Sequence, residues 1–322
     1  MPGTDDFPKV AVLRGGVGRE REVSLMSGRC VADALRAGGA LVIESDIRPD
    51  DLAVLDRSDV DVFFIALHGQ FGEDGRLQQI LDERSLVYTG SDAQASRLAF
   101  DKVASKKLFA EVGVAVAPTI EFPPDADPRA IEHQLESLGE RFVVKPIYDG
   151  SSVGVHIVDG AAAAVTAAQQ ITDERSDCMI EPFIAGPELT VGILGRETLP
   201  IIEIKPKTAF YDYHAKYVDE QTEYLFDTIS DDRLRSRIHR SALACFDALG
   251  CRDFARVDFI LAPDATPYVL EINTIPGFTT HSLLPKAAAR AGLPMTELCL
   301  HITRAAFSRK SSTAKREIGR FS

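Results

Sequence analysis

Along the first hundred positions, unbroken apolar runs alternate with stretches in which apolar residues recur every three or four places. "KVAVLRGG" is a continuous run ending in glycines, the pattern of a buried strand entering a turn. "EVSLMSGRCVADALRAGG" switches to helical spacing and is stopped by Gly38 and Gly39. "DVFFIALHG" reads as a second strand leading into the loop "HGQFGEDG"; "RLQQILDERSL" is again helical, and "VYTG" is a short strand. This alternation predicts a parallel α/β unit over 1–100, since parallel neighbours need a crossover helix.

The pattern then changes. "DKVASKKLFAEVG" is a helix, the Pro-rich "PPDADP" a loop, and "RFVVKPIYDGSSVGVHIV" two strands joined by a turn of small residues. A helix, "AAAAVTAAQQI", and a strand, "CMIEPFI", complete a compact α+β unit over 101–188. A third unit, 189–310, holds the strands "LTVGIL" and "LPIIEIK", an aromatic-rich polar stretch, "TAFYDYHAKYVDEQTEYLF", and a long helix, "DRLRSRIHRSALACFDALG". Two more strands follow, then helices from His281 to about Ser308. The polar, basic tail from Arg309, including 311–322, reads as frayed or disordered.

"FARVDFILAPDATPYVLEIN" has the form of a hairpin turning at Pro263–Thr266. Pairing Ala262 with Pro267 sets Asp258 opposite Glu271 and Arg256 opposite Asn273, all on one face, with Leu270 and Ile272 on the other. Two opposed carboxylates repel unless a cation lies between them. Two carboxylates and an amide oxygen suit Mg²⁺; an Arg–Asp–Glu surface cluster is the plainer alternative.

Composition narrows the function. A chain of 322 residues is long enough for two or three domains, and a net charge of −12 argues against a broad nucleic-acid surface. No apolar run has membrane-spanning length and no signal peptide is visible, so a cytoplasmic protein is expected. The five cysteines are scattered, without a CxxC pair, and read as reduced structural thiols.

Phosphate-binding candidates are individually weak. Lys145 ends "FVVK" and Lys102 opens a helix, and either could be an ordinary solvated lysine. "DGSSVG" offers small residues for close backbone approach but is not a P-loop, and could equally be a hairpin turn. "RGGVGRE" lacks the third glycine of a dinucleotide fingerprint, Arg21 standing there. Glu20 sits at a helix start, where the dipole favours an anion.

Taken in order, "GGVGREREVSL", "FIALHGQFGEDGRLQ", "KPIYDGSSVG", "EPFIAGPELTVGIL", "FYDYHAKY", "RVDF" and "LEINTIPGFTTHSL" resemble the D-alanine–D-alanine ligase family of the ATP-grasp superfamily, from about Val10 to Arg304. The resemblance implies a three-domain ATP-grasp ligase, α/β then α+β, with ATP gripped between the second and third domains. It implies that two D-alanines are joined through a D-alanyl phosphate to give D-alanyl-D-alanine for peptidoglycan precursors. Asp258, Glu271 and Asn273 match magnesium ligands for two ions, with Mn²⁺ a substitute. Lys102 and Lys145 match lysines on the phosphates. Glu181, Phe183, Ile184 and Glu188 match the adenosine pocket, with Glu188 on the ribose.

On the substrate side, Glu20 would hold the ammonium of the first D-alanine with His68 nearby, and Ser151 and Tyr217 would bond with Glu20 to close the site. Arg256 and the Gly277 N–H would stabilise the oxyanion. Lys216 and Ser282 would receive the second carboxylate. Tyrosine at position 217 goes with dipeptide rather than depsipeptide formation in the family. The resemblance leaves room for a homodimer. Gly18, Arg19 and the pair Tyr148–Asp149 depart from the family's pattern, and "YLFDTISDD" lacks a usual proline. Two alternatives stay open: a ligase using D-lactate or D-serine as acceptor, and a nucleotide-binding regulator without catalysis.

Overall fold

The computed structural model describes residues 7–150, 154–175, 177–206 and 222–318. Strands β1 (Val10–Gly15), β2 (Val42–Ile47) and β3 (Val62–Ile65) form a parallel sheet in the order β2-β1-β3. The apolar run of β1 is continuous because both of its faces are covered. Val10 and Val12 pack with Val31 and Leu35 of helix α1 (Arg21–Ala37) and with Leu298 and Ile302 near the C-terminus. Ala11 and Leu13 pack with Leu77 and Leu81 of helix α2 (Arg76–Glu83). The expected parallel α/β unit is therefore present. Strand β2 was not legible beforehand. It is a half-exposed edge whose Glu44 and Asp46 pair with Arg14 and Arg21 of the neighbouring segments, so its apolar pattern is thin.

A four-stranded antiparallel sheet comprises β4 (Ile120–Phe122), β5 (Arg141–Pro146), β6 (His156–Asp159) and β7 (Cys178–Pro182), ordered β4-β7-β5-β6. Phe142, Val144 and Ile180 face a core with Ala164 and Ala168 of the helix Ala161–Arg175. Period two then turns Val143, Lys145 and Glu181 to the opposite face. The helix Pro128–Glu136, started by an Asp127 cap and Pro128, follows directly on the Pro-rich loop.

A six-stranded antiparallel sheet holds β8 (Glu188–Leu194), β9 (Glu197–Thr198), β10 (Ile202–Lys205), β11 (Glu223–Phe226), β12 (Phe254–Leu261) and β13 (Pro267–Asn273), ordered β11-β10-β8-β12-β13 with β9 on β8. Val191, Val257, Phe259 and Ile272 bury one face against Phe246 of the helix Asp232–Ala248 and Phe109 of the helix Lys102–Glu111. Asp101 caps the latter helix by accepting from the N–H groups of Val103 and Ala104, which fixes where Lys102 emerges.

The hairpin corrects one expectation. Leu261, not Ala262, pairs with Pro267, and the register shifts between Asp258 and Phe259. The shift makes Leu270 an extra residue, so Asp258 still meets Glu271 and Arg256 still meets Asn273. Leu270 is therefore not beside Ile272: it lines the same cavity as Glu271, while Val269 and Ile272 enter the core.

The tail expected to fray from Arg309 is helical as far as Ile318. Arg309 binds the buried Asp253 and donates to the Tyr88 carbonyl at 2.6 Å, tying this helix across two sheets. All five cysteines are free. Among the described residues, no helix is long and apolar enough to cross a membrane.

Candidate active site

Two cavities meet between the antiparallel sheets. The larger, about 400 Å³, is walled by Val143, Lys145 and Glu181 on one side and by Glu188, Asp258 and Glu271 on the other. Lys102, Phe183 and Ile184 also line it. Every residue expected to hold the nucleotide is thus at this one cavity. The smaller, about 70 Å³, is lined by Glu20, His68, Arg256, Asn273, Gly277 and Ser282. Gly150, Glu188, Asp258 and Glu271 border both. Ser151, Lys216 and Tyr217 lie outside the described residues.

Charges in the larger cavity are already engaged. Lys145 is buried and its Nζ lies 2.8 Å from Glu181 Oε2. Glu181 Oε1 receives Lys106 and, at 2.9 Å, the Thr119 hydroxyl. Burial, with Lys102 nearby, pushes the Lys145 ammonium down to about 8 against the pull of Glu271. Burial and the neighbouring Lys145 likewise push Lys106 well below the ordinary lysine range. Lys106 was missed in the sequence, although it follows Lys102 by four residues on a helix and so shares its face. Lys102 donates to the carbonyl of Ile147 at 3.2 Å and to that of Asp149, with Glu271 3.8 Å away.

At the shared wall, Arg256 grips Asp258 in a two-pronged bond, Nε–Oδ1 2.9 Å and a terminal nitrogen to Oδ2 2.8 Å. Thr190 donates to the same Oδ1 at 2.6 Å. Asn273 Oδ1 accepts from the Ile275 N–H at 2.9 Å, leaving a lone pair for another partner. The two opposed carboxylates hold cationic side chains beside them, Arg256 on Asp258 and Lys102 near Glu271. That is the charge balance a divalent cation would supply, and the hard oxygen donors fit Mg²⁺. Among the described residues, no three His, Cys, Asp or Glu side chains converge. A complete shell would therefore need oxygens from water or a bound phosphate.

Glycine backbones shape the smaller cavity. Glu20 is the N-cap residue of α1, and its Oε2 would lie 2.4 Å from a Cβ on Gly69, which adopts φ +68°. Any side chain at position 69 would displace the carboxylate. A Cβ on Gly277 would lie 2.6 Å from Ser282 Oγ, so that turn also depends on glycine. Ser282 Oγ accepts from the Thr279 N–H at 2.9 Å.

A cavity clamped between two antiparallel sheets, with buried lysines facing paired carboxylates, defines an enzyme of the ATP-grasp class. Sequence models for the D-ala D-ala ligase N-terminus and C-terminus match residues 51–91 and 108–304. A D-alanine–D-alanine ligase of Anaeromyxobacter sp. (strain Fw109-5) is 45% identical over 296 residues, 91% of this chain and 95% of its own. The ATP-complexed D-alanine–D-alanine ligase of Bacillus anthracis superposes with a TM-score of 0.83 at 30% identity, covering 95% of this chain and 99% of its own. The VanG D-Ala:D-Ser ligase of Enterococcus faecalis gives a TM-score of 0.79 at 26% identity, over 94% of this chain and 100% of its own. The chain belongs to the D-alanine–D-alanine ligase family.

Proposed function

We propose that this chain joins two D-alanines at the expense of ATP, releasing D-alanyl-D-alanine, ADP and phosphate for peptidoglycan precursor synthesis in the cytoplasm. The observation that carries the reading is the common wall of Glu188, Asp258 and Glu271 between a nucleotide-sized cavity and an amino-acid-sized one. A phosphate at that wall can be transferred to a carboxylate in the smaller cavity without leaving the protein.

Adenosine occupies the larger cavity, with Glu181, Phe183 and Ile184 at the base and Glu188 on the ribose. Lys102 and Lys145 turn to the phosphates. Asp258, Glu271 and Asn273 would hold Mg²⁺, as two ions with Mn²⁺ able to substitute, and the metal would offset the charge that gathers during phosphoryl transfer. Glu20 holds the ammonium of the first D-alanine. The carboxylate oxygen of that substrate attacks the γ-phosphorus and ADP leaves. The amine of the second D-alanine, placed by Lys216 and Ser282, then attacks the carbonyl of the acyl phosphate. Arg256 and the Gly277 N–H receive the oxyanion charge; phosphate departs and the new amide nitrogen loses its proton. Ser151 and Tyr217 close the site against water with Glu20. In this reading 1–100, 101–188 and 189–310 are three domains, and a homodimer is the assembly to look for.

The likeness to a D-Ala:D-Ser ligase favours D-serine as the second reading for the acceptor. Offering D-alanine, D-serine and D-lactate together with ATP and Mg²⁺, and identifying products by mass spectrometry, separates the two. D-Alanyl-D-alanine is expected as the main product. A predominant serine or lactate product would overturn the acceptor assignment, and nucleotide binding without phosphate release would overturn catalysis.

A further inference from the structure

Ser27 lies two turns along α1 from Glu20 and is fully buried. Its Oγ accepts from the Phe278 N–H at 3.3 Å and lies 3.0 Å from His68 Nε2. The other ring nitrogen, Nδ1, is 3.1 Å from the Ile275 carbonyl. A carbonyl can only accept, so Nδ1 carries the proton. In the neutral ring Nε2 is then the acceptor, and the Ser27 hydroxyl donates to it. The result is a directed chain: Phe278 N–H to Ser27, Ser27 O–H to His68, His68 N–H to Ile275. It begins and ends on one loop, at Phe278 just after Gly277 and Ile275 two residues before it.

The same loop is fixed by three further contacts. The Phe278 ring packs edge-on against Phe64 and Phe254, each at 5.5 Å between centroids. The Ile275 N–H is held by Asn273. Both nitrogens of His68 are thus committed within the protein, which leaves the ring no polar atom for a substrate ammonium. His68 still lines the smaller cavity with Glu20, where it was expected.

We infer that Ser27 and His68 act as one positioning unit, which locks the Ile275–Phe278 loop to the helix carrying Glu20 and so aims the Gly277 N–H at the reacting carbonyl. The inference rests on the ligase reading above. A misaimed Gly277 N–H weakens stabilisation of the tetrahedral oxyanion but leaves phosphorylation of the first D-alanine intact. The acyl phosphate then waits longer and is lost to water, so ADP appears in excess of dipeptide.

The test uses the full chain and the variants Ser27→Ala, His68→Asn and the double variant. His68→Asn keeps a donor near the Nδ1 position and removes the Nε2 acceptor. Each single variant should slow dipeptide formation about tenfold, less than outright loss of an oxyanion donor. Michaelis constants for ATP and the first D-alanine should stay within about twofold, and the ADP-to-dipeptide ratio should rise above that of the wild type. The double variant should be no worse than about twofold beyond the poorer single one, because the two residues share one chain. A KM for D-alanine raised only by His68→Asn, or slowed turnover with unchanged coupling, would overturn the inference. If Ser27→Ala does not fold, Ser27→Cys keeps the volume with a weaker donor and should show the same excess of ADP; normal coupling in it would count against the unit. Failure of the wild type to make any dipeptide would instead overturn the ligase reading.

Discussion

The two cavities share a wall but are built on opposite plans. The larger, about 400 Å³, sets Val143, Ile157, Phe183, Ile184 and Ile260 among lysines and carboxylates, several of them already paired within the protein. The smaller, about 70 Å³, is made mainly of polar and charged groups drawn from α1, the end of β3, the β12–β13 hairpin and the loop after it. The first can recognise a flat base by shape and area. In the proposed reading the second recognises an amino acid by charge and leaves little room for error. Changes in the first should therefore appear in the KM for ATP, and changes in the second in turnover. The shared wall should show both.

Glu271 is the sharpest test of that sharing, since it borders both cavities. Glu271→Gln keeps the shape and removes the charge. Loss of a cation-binding carboxylate worth several kcal/mol should cut turnover about a thousandfold. The melting temperature should shift by only a few degrees, because relief of the repulsion with Asp258 is offset by loss of the carboxylate beside Lys102 and Lys145. Undiminished turnover at limiting Mg²⁺ would show that the wall is not a metal site.

Arg256 sharpens the contrast further. It belongs to the smaller cavity but grips Asp258, which borders both. Arg256→Ala should lower turnover about a hundredfold with far less effect on the KM for ATP. A collapse of nucleotide binding with normal turnover would move Arg256 to the other cavity.

The larger cavity should have its own pH signature. Lys145, held near 8 by burial, is an ammonium below that pH and a neutral amine above it. A neutral amine cannot hold phosphate, so kcat/KM for ATP should fall as pH rises through about 8, approaching tenfold per unit. A bound polyanion raises the lysine's affinity for its proton, so kcat should bend at higher pH. Lys145→Arg, whose guanidinium stays charged, should lose this limb. An unchanged alkaline limb in that variant would remove Lys145 from the phosphates.

Much of this site was legible because its charges lie in long, strongly patterned segments. The strands around Lys145, Glu181, Asp258 and Glu271 run as expected, and a helix does begin at Lys102. Elsewhere the pattern was too weak or carried no mark. Edge strand β2 has charges where a core strand has apolar residues. The helix Ala93–Phe100 is only eight residues long, too short for its spacing to stand out from the loops around it. Ser27 looks like any helical serine until Phe278 of the loop 275–278 is laid against it from 251 positions away in the chain. The hairpin shows a compensating error: the turn was placed one residue off, and an extra residue in β13 restored the pairing of Asp258 with Glu271. Nothing in the alternation of "PYVLEIN" announces that insertion.

That extra residue gives the mildest prediction. Leu270 stands in the larger cavity beside Glu271 and has no place in the core formed by Val269 and Ile272. It is half-buried, so truncation opens no enclosed void, and Leu270→Ala should change melting little. What it removes is apolar area facing the bound nucleotide. Loss of about 40 Å² of contact, at about 25 cal/mol per Å², is roughly 1 kcal/mol. The KM for ATP should rise about fivefold, while the KM for D-alanine and the ADP-to-dipeptide ratio stay as in the wild type. If the substitution slowed turnover at saturating ATP instead, the bulge would be acting through Glu271. The division between a cavity read by shape and one read by charge would then fail at the strand they share.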